Sequence, residues 1–124
     1  MISRKHRFHG YNSLRFVYQR GQTVRGPLTA LKYLSNSRRS HYRLAVVVSK
    51  KVHKSAVRRN RIRRRLYEAF RNCEADMLAP YDMVVTVFHE QIAEISTAEL
   101  NRLVRSQLKQ AGIIAKSKTV NTNS

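Results

Sequence analysis

The carboxylates, histidines and cysteine of this 124-residue chain are the groups that could do covalent or metal chemistry, and their spacing speaks against it. Hydrolysis by two metal ions needs carboxylates converging on ions roughly 4 Å apart. Asp82 and Glu90 flank an apolar stretch on one parity, but eight extended residues at about 3.3 Å each separate them by roughly 26 Å. His6 and His9 could share a metal, yet they lie in a polar N-terminal segment. Cys73 reads as a buried helix residue rather than a nucleophile. As the single cysteine it excludes an intramolecular disulfide and fits a reducing compartment. No Ser/His/Asp or Cys/His arrangement is legible, so no catalytic residue is assigned. The chemistry that is legible is anion binding. In SKKVHKSAVRRNRIRRRL, Ser49 to Leu66, nine of eighteen residues are Lys or Arg and none is acidic.

That stretch must be positioned by a helix. Ile62, Leu66, Ala69, Phe70 and Cys73 fall on one stripe at 100° per residue, which predicts an amphipathic helix from about Ser55 to Cys73. With the stripe inward, Arg61, Arg64, Arg65, Arg71 and Asn60 are expected on the outward side, and Arg58 and Arg59 in the first turn. A cationic first turn opposes the helix dipole by a few tenths of a kcal/mol per charge. An external anion gains both the dipole and the first-turn N–H groups, and phosphate is the obvious one. An ordinary solvated face mixes signs, and this one does not.

The rest of the composition agrees. The length is that of one domain able to bury a core without disulfides or metals. An apolar fraction of 42% is globular rather than disordered. Net charge is +18, with a pI near 11.3, in the range of nucleic-acid binders. The charge is polarised: residues 1–67 hold 19 Lys/Arg and no acid, and residues 68–124 hold 6 Lys/Arg and 7 acids. The basic N-terminus has no apolar stretch after it, so it does not read as a signal peptide. Runs such as Leu44–Val48 are too short to cross a bilayer. Nothing repeats internally.

Around the cationic stretch the pattern predicts a helix over Asn12–Gly21 capped by Asn12, with Leu14, Val17 and Tyr18 on one face. A strand follows over Pro27–Leu34, with Pro27 in its first position, then a polar turn over Ser35–Ser40. The strand Tyr42–Ser49 is apolar on both parities, which suggests a central place in the sheet. A strand over Asp82–His89 and a helix over Ser96–Gly112 complete the order. Ser96 and Glu99 form a capping box for that helix, Leu100, Leu103, Val104, Leu108 and Ala111 form its inner face, and Gly112 stops it. The expected fold is an α/β (α+β) sandwich of one sheet with helices. Residues 1–112 are expected to form a single domain that binds a polyanion, RNA once the resemblance below is taken in, and 113–124 a polar, disordered tail.

SKKV at a strand end, followed by RRNRIRRRLYEAFR opening a helix, resembles the signature of the bacterial ribonuclease P protein subunit, whose Arg-Asn-Arg stretch matches Arg59, Asn60 and Arg61. FVYQRG, GPL, RLAVVVSKK and YDMVVTV follow in the family's order, so the resemblance spans about Phe8 to Gly112. It implies a four-stranded sheet with helices and a left-handed β-α-β crossover around the Arg-Asn-Arg helix, where periodicity alone would predict a right-handed one. It implies an accessory subunit of a cytoplasmic ribonucleoprotein endoribonuclease. A catalytic RNA, with magnesium held mainly by that RNA, removes the 5′ leader of precursor tRNA. The partners implied are the catalytic RNA and precursor tRNA, with neither a membrane nor a small-molecule substrate. Lys50, Lys51, Arg58, Arg59, Asn60, Arg61, Arg64 and Arg65 take the catalytic-RNA contacts. The leader falls to a cleft between the first helix and the sheet, lined by Leu14, Phe16, Tyr18 and either Lys32 or Tyr33. Leu14 stands where the family usually has Phe, and Phe16, between Leu14 and Tyr18, offers a replacement aromatic. Tyr67 stands where many members carry another Arg. The Leu14/Val17/Tyr18 stripe also fits plain core packing, whereas an aromatic platform for unpaired bases would be sequence-tolerant.

Two other functions share these features: a ribosomal or other structural RNA-binding protein with no role in cleavage, and a DNA binder with the Arg-rich helix in a major groove. So dense an arginine run suits phosphate contacts better than base readout, which uses a few spaced polar side chains.

Overall fold

The computed structural model describes residues 11–36 and 38–115. The elements run α1 (Tyr11–Arg20), β1 (Gln22–Arg25), β2 (Thr29–Ser35), β3 (Arg43–Val47), α2 (Ala56–Arg71), β4 (Tyr81–Val87) and α3 (Thr97–Ala111). Short 3-10 turns cover Glu74–Asp76 and Glu90–Ala93. The strands form one sheet in the order β1-β2-β4-β3. β1 and β2 are antiparallel, as are β2 and β4, while β3 and β4 are parallel, with α2 as the crossover between them.

Strand parity divides the molecule into layers. Leu31, Leu44, Val46, Met83, Val85 and Val87 point to one face and pack with Ile62, Leu66 and Phe70 of α2 and Leu100, Val104 and Leu108 of α3. Ala45 and Val84 point to the other face, where Val17 of α1 covers them and Leu14 and Val47 pack alongside. β3 is therefore an edge strand rather than a central one. It is apolar on both parities because a helix covers each of its faces, not because it is paired on both sides.

Local signals set most helix ends. Ser55 caps α2 by accepting the Arg58 N–H at 3.3 Å. Ser96 caps α3 by accepting the Glu99 N–H at 3.1 Å, but the Glu99 carboxylate accepts from Arg102 instead of closing a reciprocal box. Gly112 ends α3 with φ 80°, in the left-handed region. Gly21 ends α1 for a different reason: a Cβ there would lie 2.6 Å from the Val17 carbonyl oxygen and 2.9 Å from that of Tyr33. α1 already includes Asn12, which is therefore not its cap.

Two further expectations are corrected. Pro27 lies in the turn before β2, which the Gly26 N–H closes onto the Thr29 carbonyl at 2.8 Å. The folded body also passes residue 112. Ile113 and Ile114 are buried in the main core, and the Leu78 N–H donates to the Ile113 carbonyl at 2.8 Å. Their side chains are too apolar to leave in water. His6, His9 and the tail from 116 lie outside the described residues.

Candidate nucleic-acid interface

α2 turns its apolar stripe inward, so its charges spread over three directions. Asn60, Arg64 and Arg71 point outward and are exposed. Arg58, Arg61 and Arg65 lie on the flank facing the 3-10 turn Glu90–Ala93. Arg61 Nε donates to the Ala93 carbonyl at 3.0 Å, and an Arg65 terminal nitrogen donates to the Ile92 carbonyl at 2.7 Å. Arg58 donates to the Glu94 carboxylate, and that hydrogen bond, followed by the charge behind it, holds Glu94 below the usual carboxylate range. On the other flank Arg59 donates to the carbonyls of His53 and Lys54 at 3.0 and 2.8 Å. Arg63, which the sequence pattern did not single out, donates to Asn60 Oδ1 at 2.7 Å. Arg65 is thus half-buried rather than outward.

These contacts explain how so many like charges coexist on one helix. A guanidinium carries five N–H donors, so one or two given to backbone carbonyls leave others to meet an external anion in a fixed orientation. Arg64 differs from its neighbours. It is exposed and makes no hydrogen bond or ion pair among the described residues. Arg61, Arg64, Arg65 and Glu68 line a shallow depression of about 320 Å³. Lys50 and Lys51 are exposed in the loop between β3 and α2, where the Val52 N–H closes a turn onto the Ser49 carbonyl at 3.0 Å. His53 Nδ1 accepts the Ser55 N–H at 3.0 Å, and this places the imidazole proton on Nε2, 3.4 Å from Glu90. The cationic residues named from sequence are therefore brought to one end of the fold, around the start of α2.

The second group is split. Lys32 is paired with Val84 and Tyr33 with Met83. Lys32 therefore shares the face that carries α1, and Tyr33 points to the opposite face, where it packs edge-on against Tyr81 at 6.2 Å. Of the two, Lys32 lines the α1 side. Leu14 and Tyr18, four residues apart, share one flank of α1. Phe16 sits roughly 160° round the helix from Tyr18, with Arg20 stacked 5.2 Å from its ring centroid. Phe16 cannot replace the aromatic missing at Leu14, because it faces the other way. Tyr18 is 43% exposed, which removes the plain core reading for that ring. Arg25 also lies on the α1 face by register, its guanidinium 4.6 Å from the ring centroid of the exposed Phe88. Sequence reasoning missed this pair because β1, with only Val24 apolar, carries no readable strand pattern.

Among the described residues no cluster of three or more His, Cys, Asp or Glu side chains could hold a metal ion. No helix there is long and apolar enough to cross a membrane.

The ribonuclease P family model matches residues 2–112. The chain belongs to the bacterial ribonuclease P protein family. The ribonuclease P protein component of a Pseudanabaena species is 37% identical over 87 residues, covering 70% of this chain and 75% of that one. That of Synechococcus elongatus is 31% identical over 116 residues, covering 91% and 95%. The Staphylococcus aureus RNase P protein structure superposes with a TM-score of 0.77 at 26% identity, covering 88% of this chain and 97% of that one. The Thermotoga maritima RNase P protein, at 20% identity, shares the fold with a TM-score of 0.75 over 84% and 96% of the two chains. Ribonuclease P is a ribonucleoprotein endonuclease of tRNA processing, so this ribonuclease P protein is a subunit with an RNA partner.

Proposed function

We propose that the chain binds the catalytic RNA of ribonuclease P through the start of α2 and holds the 5′ leader of precursor tRNA on the α1 face of the sheet, in the cytoplasm. The observation that carries this reading is the arginine row of α2, where backbone carbonyls orient Arg59, Arg61 and Arg65 while Arg64 stays open. Oriented guanidinium forks and exposed Lys50 and Lys51 match the phosphates of a folded RNA, and they position that RNA without reading its bases. On the other side Tyr18 offers a ring to unpaired leader bases, and Lys32 offers a charge on the same face of the sheet. Magnesium, held mainly by the RNA, supplies the hydrolytic chemistry. Among the described residues no cluster of carboxylates, histidines or cysteine offers a metal site, and the part of this chain's residues is to bind and orient RNA.

The test is reconstitution. The purified protein is expected not to cleave precursor tRNA. Added to a cognate catalytic RNA at low magnesium, it should restore cleavage at the leader junction. Site-specific cleavage by the protein with RNA contamination excluded would refute this division of labour.

A further inference from the structure

The loop joining β2 to β3 carries a cationic surface for which the contacts proposed so far have no use. Asn36, Arg38, Arg39, Ser40, His41 and Arg43 line a depression of about 450 Å³. Its base is fixed. The Asn36 N–H donates to the Pro80 carbonyl and the Arg39 N–H to the Asn36 carbonyl, both at 3.1 Å. Buried Asp82 accepts from Asn36 Nδ2 at 2.9 Å and from the Arg43 fork at 2.9 and 2.8 Å. The rim is charged: Arg38 and Arg39 are exposed, and among the described residues neither pairs with a carboxylate. The cationic side of α3 differs, because Glu99 answers Arg102 and Asp76 answers Arg105.

Register places this depression. Asp82 pairs with Leu34 on one side and Arg43 on the other, and Leu34 and Asp82 have the parity of Lys32 and Val84. The depression therefore lies at the strand ends of the face that carries α1 and Lys32. Asn36 follows Lys32 by four residues, roughly 13 Å of strand. β3 runs away from the loop toward the start of α2, so the arginines of α2 begin at the other end of that strand. The two cationic surfaces are separate.

We propose that the β2–β3 loop is a further phosphate subsite for the 5′ leader, taking the backbone of nucleotides that extend past Lys32. The inference rests on the proposed leader contact at Tyr18 and Lys32 and names a second contact for the same strand. The rim offers the exposed Arg38 and Arg39 guanidiniums and the exposed Ser40 hydroxyl and no apolar anchor, which suits a phosphodiester rather than a base or a protein side chain. Arginine forks match phosphate geometry, and contacts to backbone carry no sequence preference. The subsite therefore selects for leader length and not for leader sequence.

The experiment uses holoenzyme reconstituted with the catalytic RNA and precursor tRNAs whose leaders lengthen one nucleotide at a time. Arg38→Ala/Arg39→Ala is compared with wild type and with Arg38→Lys/Arg39→Lys. Wild-type affinity should rise with leader length. The Ala variant should match wild type on short leaders and fall several-fold behind on long ones, with a salt slope shallower there by about 1.4, or ~0.7 for each single-strand phosphate left unneutralised. The Lys variant should retain most of the gain. Equal affinities at every length would overturn the subsite while leaving the Tyr18 contact standing. Equal loss at every length, matched by weaker binding of the catalytic RNA alone, would move the loop to that RNA and also overturn it. A wild type that gains nothing from any leader would sink the leader reading and the subsite together.

Discussion

Arg64 and Arg65 are adjacent in sequence, but α2 separates them by about 100°, and the structure gives them different work. The Arg65 guanidinium is half-buried and donates at 2.7 Å to the carbonyl of Ile92, a residue 1% exposed. Removing a charged donor and stranding a partly buried carbonyl costs about 1–3 kcal/mol. Because the side chain is partly in water, the lower part of that range, about 1–2 kcal/mol, applies to Arg65→Ala. For a domain of this size each kcal/mol moves the melting temperature by roughly 3–5 °C, so the expected shift is about 3–10 °C. Among the described residues Arg64 holds nothing in place, and Arg64→Ala should stay within about 0.5 kcal/mol of wild type, as exposed substitutions do. Binding should respond the other way. Each phosphate that the protein no longer neutralises flattens the plot of log affinity for the catalytic RNA against log salt by about 0.7–0.9, and Arg64→Ala should show the whole of that change. Urea or thermal denaturation of both variants, with affinities at several salt concentrations, separates the two effects. If Arg64→Ala destabilises as much as Arg65→Ala, or leaves the salt slope untouched, the division into clamped and open arginines is wrong.

Tyr18→Ala should lose roughly 1–3 kcal/mol of affinity for leader-bearing precursor while mature tRNA binds as before; an equal loss for both, with a large drop in melting temperature, would return Tyr18 to the core. Gln107→Leu should destabilise by about 1–3 kcal/mol, because the buried Gln107 amide accepts the Thr29 hydroxyl at 2.9 Å and donates to the Thr29 carbonyl at 3.0 Å. Adding Thr29→Val should restore part of the loss, and a double variant worse than the single would contradict this account. Burial pushes the Cys73 thiol above its usual range, and burial with the hydrogen bond to Glu74 does the same for the Tyr42 phenol. Both stay neutral in the fold while the unfolded chain ionises them between about pH 8.5 and 10, so their contribution is intact below that window and is lost as pH rises through and beyond it. Urea midpoints measured across the window should fall, and less steeply in Cys73→Ala; a midpoint that holds steady would exclude the effect.

Much of the cationic site was legible because its signals are local. The charge step after residue 67, the inward stripe of α2 and the Ser55 and Ser96 caps involve residues a few positions apart, where helix geometry alone relates them. Leu14 and Tyr18 shared a flank for the same reason. Contacts between distant residues were not legible. Nothing near Arg61 or Arg65 announces carbonyls 32 and 27 residues away. Gln107 reads as a surface residue until the β1–β2 turn, with Thr29 78 residues away, closes over it. β3 looked central because apolar parity reports covered faces and is blind to which edges are hydrogen-bonded. The choice between Lys32 and Tyr33 waited on strand register, because the two point to opposite faces and only the helices packed on each face make those faces different. Sequence alone determined that like charges gather on one helix, α2, with its apolar stripe turned inward. Tertiary structure decided which arginines are held and that Lys32, not Tyr33, shares the sheet face with α1, since both depend on surfaces brought together only when the chain closes.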